Sequence, residues 1–139
     1  MATRNGSAEW KGDLKSGTGS LEVGDGVFRG DYSFKSRFEE GEGTNPEELI
    51  AGAHAACFSM ALSGILAEAG HTPESIRTRA AVHLGPGVIQ RIELTTEARV
   101  PGVEEDAFQR HAEEAKAGCP VSKALAGVGE ITVEAKLLD

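Results

Sequence analysis

The chain has 139 residues, of which 40% are apolar and 26% charged, with a formal net charge of −8 at pH 7. This length and composition are typical of one globular domain, and we predict a single domain over residues 1–139. The acidic charge argues against a nucleic-acid partner or an anionic membrane surface, because both need clustered lysine and arginine.

The N-terminal segment and the number of cysteines limit the class of protein further. The N-terminal "MATRNGSAEWKGD" has no apolar segment of the kind that directs secretion. We predict that no run approaches the length of a membrane span, and we expect no membrane partner and a cytoplasmic location. Two cysteines are too few for a disulfide scaffold or a four-thiolate zinc site, and we expect no metal and no bound cofactor.

The N-terminal third has the pattern of a β-meander. Short apolar runs separated by glycine and aspartate predict three strands, within residues 7–13, 17–24 and 26–34. The segment "GTGSLEVG" is not a dinucleotide-binding loop, because Glu22 stands where the third glycine would be. Residues 39–45, "EEGEGTN", read as a polar loop.

A long helix is predicted over residues 46–69. Asn45 is a suitable N-cap, Pro46 suits the first helical position, and Gly70 is a C-terminal stop. The helix would be about 36 Å long. Its middle is apolar or small on every side, which predicts burial on every side.

The remaining sequence alternates between strand and helix patterns. Residues 75–84 and 87–100 predict two antiparallel strands, residues 103–117 and 120–126 predict helices, and residues 130–138 predict a final strand. The fold class is therefore α+β.

Each cysteine can be interpreted as structural or reactive. Cys119 lies between Gly118 and Pro120, near a helix start, where the backbone amides lower the pKa of a thiol; it could equally be a turn residue. Cys57 lies mid-helix among apolar residues, which raise the pKa of a thiol, and alone it would be a packing residue. Cys57 therefore needs a nearby cation to react.

Two cations are available to Cys57. His54 is three residues earlier on the same helix face. A Cys/His hydrolase is therefore an alternative function, although two neighbouring side chains on one helix are poorly oriented for proton transfer. Arg37 is permanently charged and would stabilise a thiolate. It needs a carboxylate partner. Of the two candidates, Glu48 is placed to cap its own helix, which leaves Glu47 the freer one.

In this order and spacing, the arginine in "SRFEE", the segment "GTNPEELIAGAHAACFSMAL" and "AKAGCPVSKAL" resemble the OsmC branch of the OsmC/Ohr family of thiol-dependent organic hydroperoxide peroxidases. The resemblance runs from about Ser7 to the last strand. It implies antiparallel sheets wrapped around a long central helix, an intertwined homodimer with two active sites at its interface, and no metal or haem.

The resemblance also implies the roles of four residues. Cys57 matches the peroxidatic cysteine and Cys119 the resolving cysteine. Arg37 matches the activating arginine, in the loop before the long helix, and Glu47 the glutamate that orients it.

The spacing within the long helix adds one hypothesis. Glu47 and Cys57 are ten residues apart, about 15 Å along a helix axis. If both touch one arginine, either the carboxylate comes from a second subunit or the helix breaks. We favour the second subunit.

The expected reaction reduces an organic hydroperoxide, in oxidative or osmotic stress defence, through a Cys57 sulfenic acid and then a Cys57–Cys119 disulfide. An external dithiol would reduce the disulfide, and the resemblance suggests a lipoylated protein. Nearby apolar side chains favour an organic substrate; they are Phe38, Phe58, Met60 and Leu62. A non-enzymatic stress protein is a further alternative.

Overall fold

The computed structural model describes residues 2–139. They divide into two compact units, one ending at Leu49 and one running from Ile50 to Asp139, and each is described by itself. The single domain stays a prediction. Two three-stranded sheets and a long helix confirm the α+β class.

The first unit begins with an antiparallel meander, as predicted. The strands pair in the order β1-β2-β3 and are β1 (Gly6–Lys11), β2 (Thr18–Val23) and β3 (Phe28–Tyr32). The rings of Trp10 and Tyr32 lie 5.4 Å apart across Gly19, where an added Cβ would come within 2.6 Å of both side chains. Glycine is therefore required at this position for the two aromatic rings to pack.

A short helix, α1 (Phe34–Phe38), follows the meander. Its N-cap is Ser33, whose hydroxyl accepts a hydrogen bond from the Ser36 amide, while the Ser36 hydroxyl accepts one from the Ser33 amide. The prediction that the third strand extends to Phe34 was wrong, and Arg37 lies on this helix rather than in a loop. The usual glutamate or glutamine at the third helical position is replaced by serine, which hid the capping box.

The long helix, α2 (Pro46–Glu68), begins and ends as predicted. The Asn45 side chain accepts a hydrogen bond from the Glu48 amide at 2.8 Å. At the other end, Gly70 adopts a positive φ of 91°, and the His71 amide donates to the Leu66 carbonyl.

The prediction that no run is long enough to span a membrane was wrong for α2. By length and composition it could cross a membrane, since its most apolar 18-residue window has a mean hydropathy of 1.7. Within one chain only 22% of that window is buried and Met60 is 78% exposed, so burial of α2 on every side, against a second copy of the helix, stays a prediction. Its charged residues lie near the ends, which leaves the middle uninterrupted.

The second unit contains a mixed sheet. Strands β4 (Ser75–Gly85) and β5 (Val88–Arg99) form the predicted antiparallel hairpin, but β6 (Glu130–Leu138) pairs with β5 in parallel. The chain between them runs through α3 (Glu105–Gly118) and α4 (Pro120–Ala124), a crossover long enough for a parallel pairing. The expectation of antiparallel sheets therefore holds in full only for the first sheet.

The core of the second unit joins α2, α3 and the sheet. Phe58 and Leu62 of α2 and Phe108 of α3 are fully buried, together with alternate residues of β5. Burial of each such side chain contributes roughly 1.5–3 kcal/mol before entropy is subtracted. Since Phe58 follows Cys57 directly, this core fixes the position of Cys57 on α2.

Candidate functional site

Arg37 and Glu47 form a bidentate ion pair within the first unit. Arg37 Nε donates to Glu47 Oε1 and Nη2 to Oε2, each at 3.0 Å. The hydrogen bonds from Arg37 to Glu47 raise the pKa of the guanidinium, against the smaller opposing effect of burial. Glu47 is buried, whereas the Arg37 side chain is 37% exposed. The pair thus holds a fixed positive group with one side open.

Hydrogen bonds between α1 and the start of α2 position this pair. Asn45 Nδ2 donates to the Ser36 carbonyl at 2.9 Å, and the Ser36 hydroxyl donates to the Thr44 carbonyl at 2.8 Å. The Glu48 carboxylate accepts from the Thr44 hydroxyl at 2.9 Å, rather than reaching the N-cap amide. Glu47, and not Glu48, is therefore the arginine partner.

The alternative of a broken helix was wrong, whereas the hypothesis that Cys57 and this carboxylate come from different subunits stays a prediction. Arg37 and Glu47 belong to the same chain, and α2 is continuous from Pro46 to Glu68. Both residues lie near the start of that helix, so the ion pair forms locally.

A cavity of about 230 Å³ adjoins Arg37 in the first unit. Most of its lining side chains are aromatic or aliphatic, and they are Trp10, Leu14, Tyr32, Phe34 and Phe38. The Phe38 ring centroid is 5.1 Å from the guanidinium carbon. Of the other apolar residues singled out from the sequence, Phe58 and Leu62 belong to the core and Met60 is exposed. The cavity could accept an apolar group next to a cation.

Cys57 and Cys119 come together in the second unit. Both are free thiols, and each lies close enough to the other to affect its pKa. Cys119 ends α3 and begins α4, where it is completely buried, while Cys57 is half-buried on α2. The fold thus joins two sulfur atoms whose residues are separated by 61 others.

The two thiols differ in acidity. Burial raises the pKa of the Cys57 thiol, and its contact with Cys119 raises it further. Burial also opposes ionisation of Cys119, but the nearby Cys57 thiol and the polar groups of Ser122 and Val121 hold the pKa of Cys119 below its ordinary value.

His54 is fully buried and faces Ser122. Its Nε2 is 2.6 Å from the Ser122 hydroxyl, and burial lowers the pKa of the imidazole. Within residues 2–139, its Nδ1 has no hydrogen-bond partner. One ring nitrogen of His54 is thus engaged by serine, and the other has no partner among the described residues. The sequence analysis missed Ser122; its position three residues after Cys119, in the first turn of α4, was the available signal.

In the part of the chain that the structure describes, no group of three or more histidine, cysteine, aspartate or glutamate side chains is arranged to hold a metal ion. The expectation of a site without metal or cofactor stays a prediction.

Residues 39–134 match the family model described as OsmC-like protein, and the chain belongs to this family. Among its relatives is "Peroxiredoxin OsmC" of Escherichia coli (strain K12), which is 48% identical over 96% of each chain. "Organic hydroperoxide resistance protein" of Xanthomonas axonopodis pv. citri (strain 306) is 29% identical over 67% of each chain.

Solved structures with the same fold include an OsmC-like protein of unknown function from Vibrio cholerae. It has a TM-score of 0.76 and 17% identity, covering 97% of this chain and 99% of the other. An organic hydroperoxide resistance protein OsmC from Legionella pneumophila has a TM-score of 0.69 and 24% identity over 100% of both chains. These two structures confirm the expected OsmC-like fold.

Proposed function

We propose that this chain is a thiol-dependent peroxidase that reduces organic hydroperoxides to alcohols, in defence against oxidative stress. The observation that carries the proposal is that the free thiols of Cys57 and Cys119 lie close enough to affect each other's pKa. The names of the relatives, a peroxiredoxin and an organic hydroperoxide resistance protein, support the same chemistry.

In the first step, the Cys57 thiolate attacks the distal oxygen of the hydroperoxide. A sulfur–oxygen bond forms, the oxygen–oxygen bond breaks, and the alkoxide leaves and takes a proton to become the alcohol. The sulfur is oxidised by two electrons to a sulfenic acid. Since the thiolate is the nucleophile, and burial raises the pKa of Cys57, this step needs a cation beside the sulfur.

Arg37 is the proposed cation, and we propose that it acts across a homodimer. Its partner Glu47 precedes Cys57 by ten residues of an unbroken helix, about 15 Å along the axis. The Arg37–Glu47 pair of one subunit would therefore serve Cys57 of a second subunit packed antiparallel along α2. This arrangement would create two equivalent sites in each dimer.

The exposed apolar surface of α2 supports the dimer. An apolar helix that remains largely uncovered in one chain, with Met60 78% exposed, is typical of a surface that a partner covers. A second copy of the same helix would bury this surface on both chains.

In the second step, Cys119 condenses with the sulfenic acid on Cys57, and a disulfide and water are formed. An external dithiol then reduces the disulfide, and we propose a lipoylated protein for this role. A cycle reset by a dithiol suits a reducing compartment, so a cytoplasmic location is part of the proposal. The aromatic cavity beside Arg37 favours a hydroperoxide with an apolar organic group.

Two cysteine variants test the proposal. The initial rate of tert-butyl hydroperoxide consumption would be measured with dihydrolipoamide as the reductant. Cys57→Ser should lower it to the rate without protein, because the nucleophile is removed. Cys119→Ser should still form a sulfenic acid at Cys57, which dimedone labels and mass spectrometry locates. Full consumption by Cys57→Ser would contradict the proposal.

A further inference from the structure

A hydrogen bond between His54 and Ser122 joins α2 to α4 inside the second unit. His54 Nε2 lies 2.6 Å from the Ser122 hydroxyl oxygen. His54 is fully buried and Ser122 is 7% exposed, so water competes little for this bond. The reaction proposed above gives no role to either residue.

This bond lies one helical turn from each cysteine. His54 is three residues before Cys57 on α2, and Ser122 is three residues after Cys119, at the start of α4. Three residues correspond to about 4.5 Å along a helix axis, so each thiol neighbours one partner of the bond along its own helix. The two elements that carry the thiols are therefore fastened together beside them.

Backbone hydrogen bonds connect Ser122 rigidly to Cys119. The Cys119 amide donates to the Ala115 carbonyl at 2.9 Å, and the Cys119 carbonyl accepts from the Lys123 amide at 3.1 Å. Cys119 is thus built into both the end of α3 and the first turn of α4. Because Ser122 belongs to that same turn, fixing Ser122 against α2 also fixes the position of Cys119.

The second ring nitrogen of His54 indicates the direction of the bond. Within residues 2–139, Nδ1 is buried and has no hydrogen-bond partner. A buried N–H without an acceptor is less common in proteins than an unpaired acceptor, so the proton of the neutral ring is assigned to Nε2. His54 Nε2–H then donates to the Ser122 oxygen, and a glutamine amide can make the same donation.

We infer that His54 and Ser122 are positioning residues, whose hydrogen bond holds Cys119 where its sulfur can reach the oxidised Cys57. The inference rests on the proposed peroxidase function. In the step concerned, Cys119 gives up its proton, its sulfur electron pair forms the disulfide bond with Cys57, the sulfur–oxygen bond of the sulfenic acid breaks, and hydroxide leaves with a proton as water. Holding two reacting groups close together raises their effective concentration.

The first test measures how readily the Cys57–Cys119 disulfide forms at equilibrium. The protein is incubated at pH 7 in mixtures of lipoamide and dihydrolipoamide, quenched with acid, labelled with N-ethylmaleimide in denaturant and weighed by mass spectrometry. Ser122→Ala and His54→Leu should each lower the equilibrium constant for disulfide formation by about tenfold, which raises the reduction potential by about 30 mV.

Two further variants separate this bond from a general loss of packing. His54→Gln should restore the equilibrium constant, since its amide can donate to Ser122. Ser59→Ala is the matched control, because Ser59 lies two residues after Cys57 on the same helix. The Ser59 hydroxyl donates to Thr78 Oγ1 at 2.7 Å and so joins α2 to β4 rather than to α4. Its removal should leave the constant unchanged.

A variant with both His54→Leu and Ser122→Ala tests whether the two residues act through one bond. If they do, the double variant should lose no more than either single variant. Additive losses, an equal loss in Ser59→Ala, or unchanged constants in the folded single variants would overturn the inference. Folding is checked by far-ultraviolet circular dichroism. If Ser122→Ala fails to fold, His54→Leu and its restoration by His54→Gln still decide.

The second test follows the resolving step directly. The Cys57 sulfenic acid is first formed with one equivalent of tert-butyl hydroperoxide, and its conversion to disulfide is timed. Conversion should be several-fold slower in His54→Leu than in Ser59→Ala, and equal rates would overturn the inference. If no protein forms a sulfenic acid, the proposed function fails, whereas the equilibrium with lipoamide still tests the positioning of Cys119.

Discussion

The Arg37–Glu47 pair and the Cys57–Cys119 pair differ in how the chain brings their members together. The first joins residues ten apart through a charged, bidentate contact that is partly open to solvent. The second brings together residues separated by 61 others, and both are free thiols, one buried and one half-buried. The cation and the nucleophile thus belong to different local structures, and the chemistry depends on how they are combined.

The electrostatics of the two pairs point to the same conclusion. Glu47 keeps Arg37 charged and in place, whereas burial raises the pKa of Cys57 and disfavours its thiolate. A cation brought to Cys57 would reverse this preference, because an opposite charge within a few ångströms favours the ionised form. The predictions below test whether the two pairs act together.

The largest effect is expected from separating the subunits. Met60→Lys places a charge on the exposed surface of α2, where one chain tolerates it but a dimer would have to bury it. We expect a folded monomer by analytical ultracentrifugation and hydroperoxide consumption near the rate without protein. Val88→Lys, at a half-exposed position on the β4–β5 hairpin, is the matched control and should remain active. A fully active monomer would show that each chain completes its own site.

Removal of the cation should have the next largest effect. Arg37→Ala should lower the rate of sulfenic acid formation at Cys57 by about 10–100-fold at pH 7, which corresponds to the loss of roughly 1.4–2.8 kcal/mol of thiolate and transition-state stabilisation. Arg29→Ala, which breaks the exposed Arg29–Glu22 ion pair in the same unit, is the control and should have no effect. A Cys/His hydrolase mechanism predicts instead that Arg37→Ala is harmless.

Loss of the Glu47 carboxylate should have a smaller effect on the rate of sulfenic acid formation. Glu47→Gln keeps the shape of the side chain but removes its charge, so Arg37 retains a hydrogen-bond acceptor and loses the ion pair. We expect a decrease of about tenfold or less in the same oxidation rate. Glu48→Gln should leave the rate unchanged, because Glu48 bonds Thr44. Equal effects of the two variants would mean that Glu47 has no special role.

The smallest effect concerns stability and pH. Burial holds the pKa of His54 below its ordinary value of 6.5, so in acid the unfolded chain binds a proton that the folded chain resists. The free energy of unfolding should therefore decline as the pH falls below about 6.5. In His54→Gln this decline should be shallower, as measured by urea unfolding at pH 7 and pH 5. Parallel declines would show that His54 does not contribute.

Local features of the chain were predicted well from the sequence. Asn45, Pro46 and Gly70 predicted the bounds of α2, because caps and stops act within one turn. Glu47 was preferred over Glu48 because Glu48 was expected to cap its own helix. In the structure the Glu48 carboxylate accepts a hydrogen bond from the Thr44 hydroxyl instead. The helix carrying Arg37 was missed because serine at position 36 completes its capping box.

Features that depend on distant parts of the chain were not predictable in this way. Alternation indicates that residues 130–138 form a strand but not that it runs parallel to β5, since direction depends on the crossover through α3 and α4. The approach of Cys119 to Cys57 depends on the same crossover, and only the family resemblance suggested it. The exposure of Met60 was also not predictable. An apolar helix pattern indicates that a side chain is covered, but not whether the surface that covers it belongs to the same chain.

The central claim is that Cys57 and Cys119 form one redox pair. The most direct test treats the reduced protein anaerobically with one equivalent of tert-butyl hydroperoxide per chain, labels free thiols with N-ethylmaleimide in denaturant, and measures the intact mass. We predict that both thiols are lost and that a proteolytic digest contains the Cys57 and Cys119 peptides joined by a disulfide. Persistence of both thiols in every chain after excess hydroperoxide would contradict the claim.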